Sequence, residues 1–210
     1  MPAVHTGRWA TLSGISSNGG RVVRRIAVRE YFLRTPRLGF SIWTHADLAL
    51  AFGLWGDSEV TRLTGGPFTT QQVRDRLERE INCHEEHGIQ YWPVFLIETG
   101  EHVGCCGLRP HKPDEGIYEL GFQLRVAFWG HGFASEAAEA VVARAFTTLG
   151  IPALYAGHHP DNDASRSVLT HLGFRYTHHE FYPPTGQIEP CYSLLRGNFP
   201  GLSGPQTRQD

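Results

Sequence analysis

Two glycines between a strand-like run and a helix-like run constrain this chain more than any other feature. Residues 118–124 alternate bulky with polar or small side chains, and residues 134–149 form an alanine-rich run that favours helix. Gly130 and Gly132 stand between the two runs, where glycine allows a tight turn. The first N–H groups of a helix lack intrahelical partners and carry positive partial charge. The junction therefore predicts a site for phosphate oxygens, with a glycine turn that only links the two elements as the alternative.

The surrounding residues exclude two common phosphate loops. No Gly-Lys-Ser/Thr follows the glycines, and the only lysine of the chain, Lys112, stands elsewhere, which excludes a P-loop. A dinucleotide fingerprint needs a glycine at position 135, where the chain has Ser135, and an acid about 20 residues later. Residues 153–157 contain no acid.

The downstream segment predicts how the chain continues. Residues 154–158 are typical of a short strand, and residues 160–165 of a turn with helix-capping side chains. A second short helix then ends at Gly173. The predicted order is strand, anion-binding loop, helix, strand, helix and strand.

Three segments in this order carry a family resemblance. The first is Thr-Pro-Arg-Leu at residues 35–38, with Trp-Thr at 43–44 and Ala-Asp at 46–47 after it. The second is Trp-Gly-His-Gly-Phe-Ala at 129–134, followed by Glu-Ala at 136–137. The third comprises Asn162, Ser165, Leu169 and the Gly-Phe pair at 173–174. Together they resemble the GCN5-related N-acetyltransferase (GNAT) superfamily, in the branch of bacterial ribosomal-protein N-terminal acetyltransferases.

The resemblance implies an α+β protein with the acyl-CoA N-acyltransferase fold. With the strand and helix patterns, it predicts a mixed, mostly antiparallel sheet of six to seven strands with helices on both faces. Residues 35–198 form the predicted GNAT domain, and residues 199–210 a loose tail. Residues 1–34 hold six arginines and one acid and so carry a net charge of +5. Because the whole chain has a net charge of −2, residues 35–210 carry about −7. We expect this leader to be disordered, and a basic arm that contacts RNA or the ribosome is the alternative.

In the family, the strands at residues 122–124 and 154–158 run parallel but splay apart, and the pantetheine arm of acetyl-CoA enters the gap. Phe122 and Leu124 are expected to bind the pantetheine amides through their main chains, and the glycine loop to bind the pyrophosphate. Asn162 is expected to contact the arm or to fix its own turn. The residues expected to contact the cofactor are Phe122, Gln123, Leu124, Trp129, Gly130, His131, Gly132, Phe133, Ala134, Ser135 and Asn162.

The implied reaction is direct attack of a neutral amine on the thioester in a ternary complex. Glu119, three residues before Phe122, is the candidate general base. Strand alternation puts the two on opposite faces, so the proton is expected to pass through water, and a purely structural carboxylate is the alternative. Ser165 is the candidate acid for the leaving thiol, or else the cap of its helix.

Two residues depart from the pattern of many family members. Leu169 stands where many relatives have a tyrosine that protonates the leaving thiol. His131 replaces the lysine or arginine that is common between the two glycines. A neutral histidine supplies less positive charge near pH 7, so we expect cofactor affinity to be weaker or pH-sensitive.

Composition limits the remaining possibilities. At 210 residues and 40% hydrophobic, the chain suits one core, and neither a transmembrane run nor a secretory signal is present in the sequence. The four cysteines contain no Cys-x-x-Cys pair, and Cys105 and Cys106 are predicted to point to opposite faces of a strand. We therefore expect a cytoplasmic protein with reduced thiols and no metal.

The acceptor is less constrained than the cofactor. An amine substrate is expected, either a small molecule such as a polyamine, amino acid or aminoglycoside, or a protein N-terminus. We expect no membrane and no direct nucleic-acid partner, and a monomer or a homodimer. A non-catalytic CoA-binding regulatory domain is the other alternative, because Leu169 and His131 depart from the pattern.

The leader is predicted to be dispensable. A chain shortened to begin at Val28 should fold, bind acetyl-CoA and acetylate a small amine as well as the full chain. Thermal melting and steady-state kinetics of both chains measure this. A large drop in melting temperature would mean that the leader packs on the body, and activity lost only toward ribosomal substrates would support the RNA-contacting arm.

Overall fold

The computed structural model describes residues 9–13, 23–27, 29–199 and 201, with side chains from residue 29 onward. Its strands are β1 (Trp9–Ser13), β2 (Val23–Ala27), β3 (Leu33–Arg34), β4 (Leu38–Phe40), β5 (Tyr91–Leu96), β6 (His102–Lys112), β7 (Ile117–Leu124), β8 (Ala153–Gly157), β9 (Arg175–Tyr182) and β10 (Gln187–Leu195). Its helices are α1 (Leu48–Trp55), α2 (Ser58–Thr61), α3 (Thr70–His87), α4 (Phe133–Thr147) and α5 (Asp163–His171).

One eight-stranded sheet organises the protein. Its strand order is β3-β4-β5-β6-β7-β8-β10-β9, and every neighbouring pair is antiparallel except β7 and β8. The predicted fold is confirmed. The sheet is larger than the predicted six to seven strands because β3, which has only two residues, adds a strand at one edge.

Each face of the sheet has its own hydrophobic core. Helix α4 packs on one face, over a cluster that includes Cys106 and Leu120. Helices α1 and α3 pack on the other face, over a cluster that includes Trp43, Tyr91 and Cys105. The opposite orientation of the adjacent cysteines is therefore confirmed, and the helices lie on both faces as predicted.

The parallel pair β7 and β8 separates part way along its length. Pairing runs from Ile117–Ala153 to Glu119–Tyr155 and ends there, although β7 continues to Leu124. Beyond that point β8 pairs only with β10. The splayed strands that the family resemblance implied are thus present, with residues 121–124 along one side of the gap.

Antiparallel geometry decides which main-chain groups face this gap. The N–H of Arg125 donates to the carbonyl of Val103 at 2.9 Å, which makes these residues a hydrogen-bonded pair of β6 and β7. Because such pairs alternate along an antiparallel ladder, Gln123 and Gly121 also bond to β6. Phe122 and Leu124 therefore direct their N–H and carbonyl groups toward the gap.

The ends of the chain differ in part from the expectation. The main sheet begins at Leu33, before the predicted domain boundary at residue 35. Within the predicted leader, β1 and β2 pair as a two-stranded antiparallel sheet. Most of the predicted tail, residues 199–210, lies outside the described residues. In the described part of the chain, no helix is both long enough and apolar enough to cross a membrane.

A buried ion pair ties α3 to the centre of the sheet. Glu80 of α3 has no exposed surface, and its carboxylate accepts hydrogen bonds from the Arg109 guanidinium and from the Tyr91 N–H, the latter at 2.8 Å. The Arg109 guanidinium also lies over the Tyr91 ring, 4.1 Å from its centroid. Removing one partner of a buried pair leaves an uncompensated charge and costs about 3–5 kcal/mol.

We therefore predict that Glu80→Ala lowers the free energy of unfolding by about 3–5 kcal/mol. Urea denaturation measures it, and Glu85→Ala, an exposed position on the same helix, is the control and should change stability by less than about 0.5 kcal/mol. Equal stability of the two variants would show that the Glu80 pair does not hold α3 on the sheet.

Candidate active site

The start of α4 has the geometry of an anion-binding loop. Gly130 and Gly132 both have φ of 77°, in the left-handed region that favours glycine. Gly132 is the N-cap of α4, and its carbonyl accepts from the Glu136 N–H at 3.1 Å. The N–H groups of residues 133–135 precede that first helical bond and so lack intrahelical partners.

A guanidinium from a distant part of the sequence lies against this loop. Arg37 donates to the His131 carbonyl at 3.0 Å and to the Glu136 carboxylate at 2.6 Å. Burial raises the pKa of Glu136, but hydrogen bonds from Thr35 and Arg37 outweigh it and hold the pKa below its ordinary value. Sequence reasoning placed Arg37 only in the first strand and missed its contact with the loop, because 94 residues separate it from His131.

Two side chains of the loop, His131 and Trp129, form hydrogen bonds to main-chain carbonyls. The His131 ring bonds through Nδ1 to the Trp129 carbonyl at 2.8 Å and is exposed. The Trp129 indole donates to the Leu124 carbonyl at 2.8 Å. One acceptor position of the Leu124 carbonyl is therefore occupied, and a second lone pair remains for a ligand.

A cleft of about 580 Å³, the cofactor cleft, joins the loop to the gap between β7 and β8. Ten of the eleven residues predicted to contact the cofactor line it, and His131 does not. Those ten are Phe122, Gln123, Leu124, Trp129, Gly130, Gly132, Phe133, Ala134, Ser135 and Asn162.

A second cleft of about 350 Å³, the acceptor cleft, opens on the sheet face that carries α3. Its lining includes Arg76, Tyr91, Arg109, Glu119, Tyr155, Glu180, Tyr182, Glu189 and Cys191. The two clefts share Leu63, Thr64, Phe122, Gln123, Asn162 and Ser165. A group that enters from one cleft therefore meets a group from the other beside Phe122 and Ser165.

Asn162, and not Ser165, caps α5. The Asn162 side-chain oxygen accepts a hydrogen bond from the Ser165 N–H at 3.0 Å. This bond fixes the turn, which is one of the two roles predicted for Asn162. The alternative that Ser165 caps this helix is wrong, because Asn162 occupies the N-cap position. The Ser165 hydroxyl makes no hydrogen bond to any described residue and lies where the clefts meet.

Glu119 lies in the acceptor cleft on the face opposite Phe122. It is the cross-strand neighbour of Arg109 and the last β7 residue to pair with β8. Burial raises the pKa of the Glu119 carboxyl, opposed in part by the positive charge of Arg109 and by a hydrogen bond from Tyr91. Such a carboxyl is a stronger base than an ordinary surface glutamate.

The structure also brings together groups that sequence reasoning missed. Gln123 accepts hydrogen bonds from Trp55 at 3.0 Å and from Arg76 at 2.8 Å. At the rim of the acceptor cleft, His178, Glu180 and Cys191 each bring one possible metal-ligand atom within 4.8 Å of the others. No local motif identifies these contacts, because they join separate strands and helices.

Comparison with known proteins matches this geometry. The model of the acetyltransferase (GNAT) domain matches residues 37–175. The N-acetyltransferase p20 of Bacillus licheniformis is 31% identical over 175 residues, which cover 80% of this chain and 98% of that protein. FsC-acetyl coenzyme A-N(2)-transacetylase of Aspergillus fumigatus is 30% identical over 191 residues, covering 82% and 80%.

Solved structures share the fold at lower sequence identity. The ribosomal L7/L12 alpha-N-protein acetyltransferase RimL, solved with coenzyme A, superposes with a TM-score of 0.68 at 16% identity. The match covers 79% of this chain and 98% of that one. From the family match, the two clefts and the glycine loop, we conclude that this chain belongs to the GNAT acetyltransferase family and is an acyltransferase.

Proposed function

We propose that this protein transfers the acetyl group of acetyl-CoA to a primary amine by direct attack in a ternary complex. The observation that carries the proposal is the meeting of the cofactor and acceptor clefts beside Phe122 and Ser165. Two reactants bound in separate clefts that meet at one point need no covalent enzyme intermediate, because positioning alone lowers much of the barrier.

The cofactor would lie along the cofactor cleft. The N–H groups of residues 133–135 would hold the pyrophosphate, and Arg37, which bonds to the His131 carbonyl and to Glu136, would hold the loop in place. The outward main-chain groups of Phe122 and Leu124 would bind the pantetheine amides as an added strand. A main-chain N–H at Phe122 would then stabilise the oxyanion of the tetrahedral intermediate.

Proton transfer is assigned to Glu119 and Ser165. Glu119 accepts one proton of the ammonium through water and releases it to solvent, which leaves a neutral amine. The amine nitrogen forms a bond to the thioester carbon, and the carbon–sulfur bond breaks. The Ser165 hydroxyl donates its proton to the departing thiolate and takes the second proton of the nitrogen in its place. The products are the acetylated amine and CoA.

The specific acceptor has two candidate classes. The ribosomal-protein acetyltransferase that shares the fold is named for a protein substrate, whereas the name of the Aspergillus relative gives FsC and an N(2) position and mentions no protein. Assays of both classes, with ribosomal N-terminal peptides and small amines, decide between them. A protein that binds acetyl-CoA and acetylates neither class would support the non-catalytic alternative.

Gly132→Asp is predicted to abolish most cofactor binding. A Cβ at this position lies 3.6 Å from the Arg37 guanidinium, so the new carboxylate adds negative charge at the loop and repels the pyrophosphate, and the Kd for acetyl-CoA should rise by roughly two orders of magnitude in calorimetry. Gly150→Asp is the matched control, because Gly150 also has a left-handed φ, of 67°, and lies in open space. Unchanged CoA affinity in Gly132→Asp would place the pyrophosphate elsewhere.

Glu119→Gln is predicted to slow turnover by about 10² to 10⁴. The glutamine keeps the shape but accepts no proton. Because burial raises the pKa of Glu119, the wild-type rate should rise with pH through a value above that of an ordinary carboxyl, and this acid limb should vanish in the variant. Glu115→Gln, at an exposed position before β7, is the control. A normal rate and an unaltered pH profile would make Glu119 a structural carboxylate.

A further inference from the structure

Two charged side chains in the acceptor cleft have no oppositely charged partner. Among the described residues, no carboxylate lies within 4 Å of the Arg76 guanidinium, and no cationic side chain within 4 Å of the Glu119 carboxylate. Their neighbour Arg109 is already paired with the buried Glu80. The cleft therefore presents to whatever enters it one guanidinium and one carboxylate that form no direct ion pair with another side chain.

Arg76 is held in place by neutral groups. Its terminal nitrogen donates to the Gln123 oxygen at 2.8 Å, and its guanidinium lies 5.0 Å from the centroid of the Trp55 ring and 5.7 Å from that of Phe68. Its Nε is fully buried and has no hydrogen-bond partner among the described residues. Burial lowers the pKa of Arg76, and the charge of Arg109 lowers it further.

A half-buried guanidinium without an ion-pair partner is costly to keep. A charged group removed from water loses solvation energy unless an ion of opposite charge compensates it. The planar guanidinium suits a carboxylate, which it can bind through two parallel hydrogen bonds. A ligand carboxylate in the cleft would supply the missing charge and a partner for the buried nitrogen.

The position of Arg76 relates this carboxylate to the reacting amine. Gln123, its hydrogen-bond partner, lies on β7 between the two residues that border the cofactor gap, and Glu119 lies on the same face of the same strand. An ammonium group at Glu119 and a carboxylate at Arg76 would therefore occupy one cleft together. A ligand that carries both groups neutralises both side chains at once.

Two more carboxyl groups, those of the exposed Glu180 and the buried Glu189, line the cleft beside Glu119. They favour an ammonium group over a phosphate or a dicarboxylate. We propose that the acceptor is an amino carboxylate, a small molecule with one amine and one carboxylate, and that Arg76 binds its carboxylate. This inference rests on the proposed acetyl transfer and narrows its acceptor to the amino-acid class.

Acceptor pairs that differ only in the carboxylate test the inference. L-phenylalanine and phenethylamine form one pair with amines of similar basicity, 4-aminobutyrate and butylamine a second with a longer spacing, and a neutral tetrapeptide represents a protein N-terminus. We expect the carboxylate-bearing member of at least one pair to have the higher kcat/KM. Arg76→Gln should lower that value roughly 10- to 100-fold, through KM, and should lower kcat/KM for phenethylamine much less, so that the preference for the carboxylate disappears.

Arg79→Gln, an exposed position on the same helix, is the control and should change none of these values. Acetylation of the amines or the peptide with no advantage for a carboxylate, or an advantage that Arg76→Gln leaves intact, overturns the inference and leaves the proposed function standing. If no amine is acetylated, the proposed function fails. The binding of amino carboxylates by Arg76 is then tested separately by calorimetry. Amino carboxylates titrated into the CoA-bound protein should bind the wild type and not Arg76→Gln, and equal binding or none overturns it.

Discussion

The end of the β7–β8 pairing at Glu119 and Tyr155 is the constraint on which the rest of the site depends. Beyond it, buried main-chain groups of β7 lack the ladder partners that a continuous sheet provides, and such groups need other partners. The Leu124 carbonyl, for example, accepts a hydrogen bond from the Trp129 indole. The gap also leads directly to the glycine loop, so one break in the sheet creates both an open slot along β7 and the approach to a helix N-terminus.

The second determinant of the site is how its buried charges are distributed. Glu80 and Arg109 neutralise one another and join α3 to β6, so their contribution is to stability. Glu119 and Arg76 lie in the same cleft without such partners. Because neither side chain has an ion-pair partner, both are available for a ligand. Burial is the main cause of the lowered pKa of Arg76 and of the raised pKa of Glu119. This division separates the charges that hold the helix in place from those that can bind a substrate or move a proton.

Local patterns in the sequence predicted the glycine loop and the Asn162 turn that line the cofactor cleft. Gly130 and Gly132 are required by backbone geometry, the Asn162 turn by capping chemistry, and both signals lie within a few consecutive residues. The edge strand β3 was harder, because its two residues are too few to show an alternating pattern. Arg37 and Arg76 were missed as site residues because each meets its partners, His131 and Gln123, across long stretches of sequence. Their positions are a property of the folded sheet and not of a motif.

Hydrogen exchange of the β7 amides, measured by NMR with and without acetyl-CoA, tests the central claim most directly. If the cofactor adds to β7 as a strand, the amide hydrogens of Phe122 and Leu124 should exchange more slowly, by roughly tenfold or more, once acetyl-CoA is bound. Those of Gly121 and Gln123, which already bond to β6, should change little. Unchanged exchange at Phe122 and Leu124 at saturating acetyl-CoA would contradict the account and place the cofactor outside the gap.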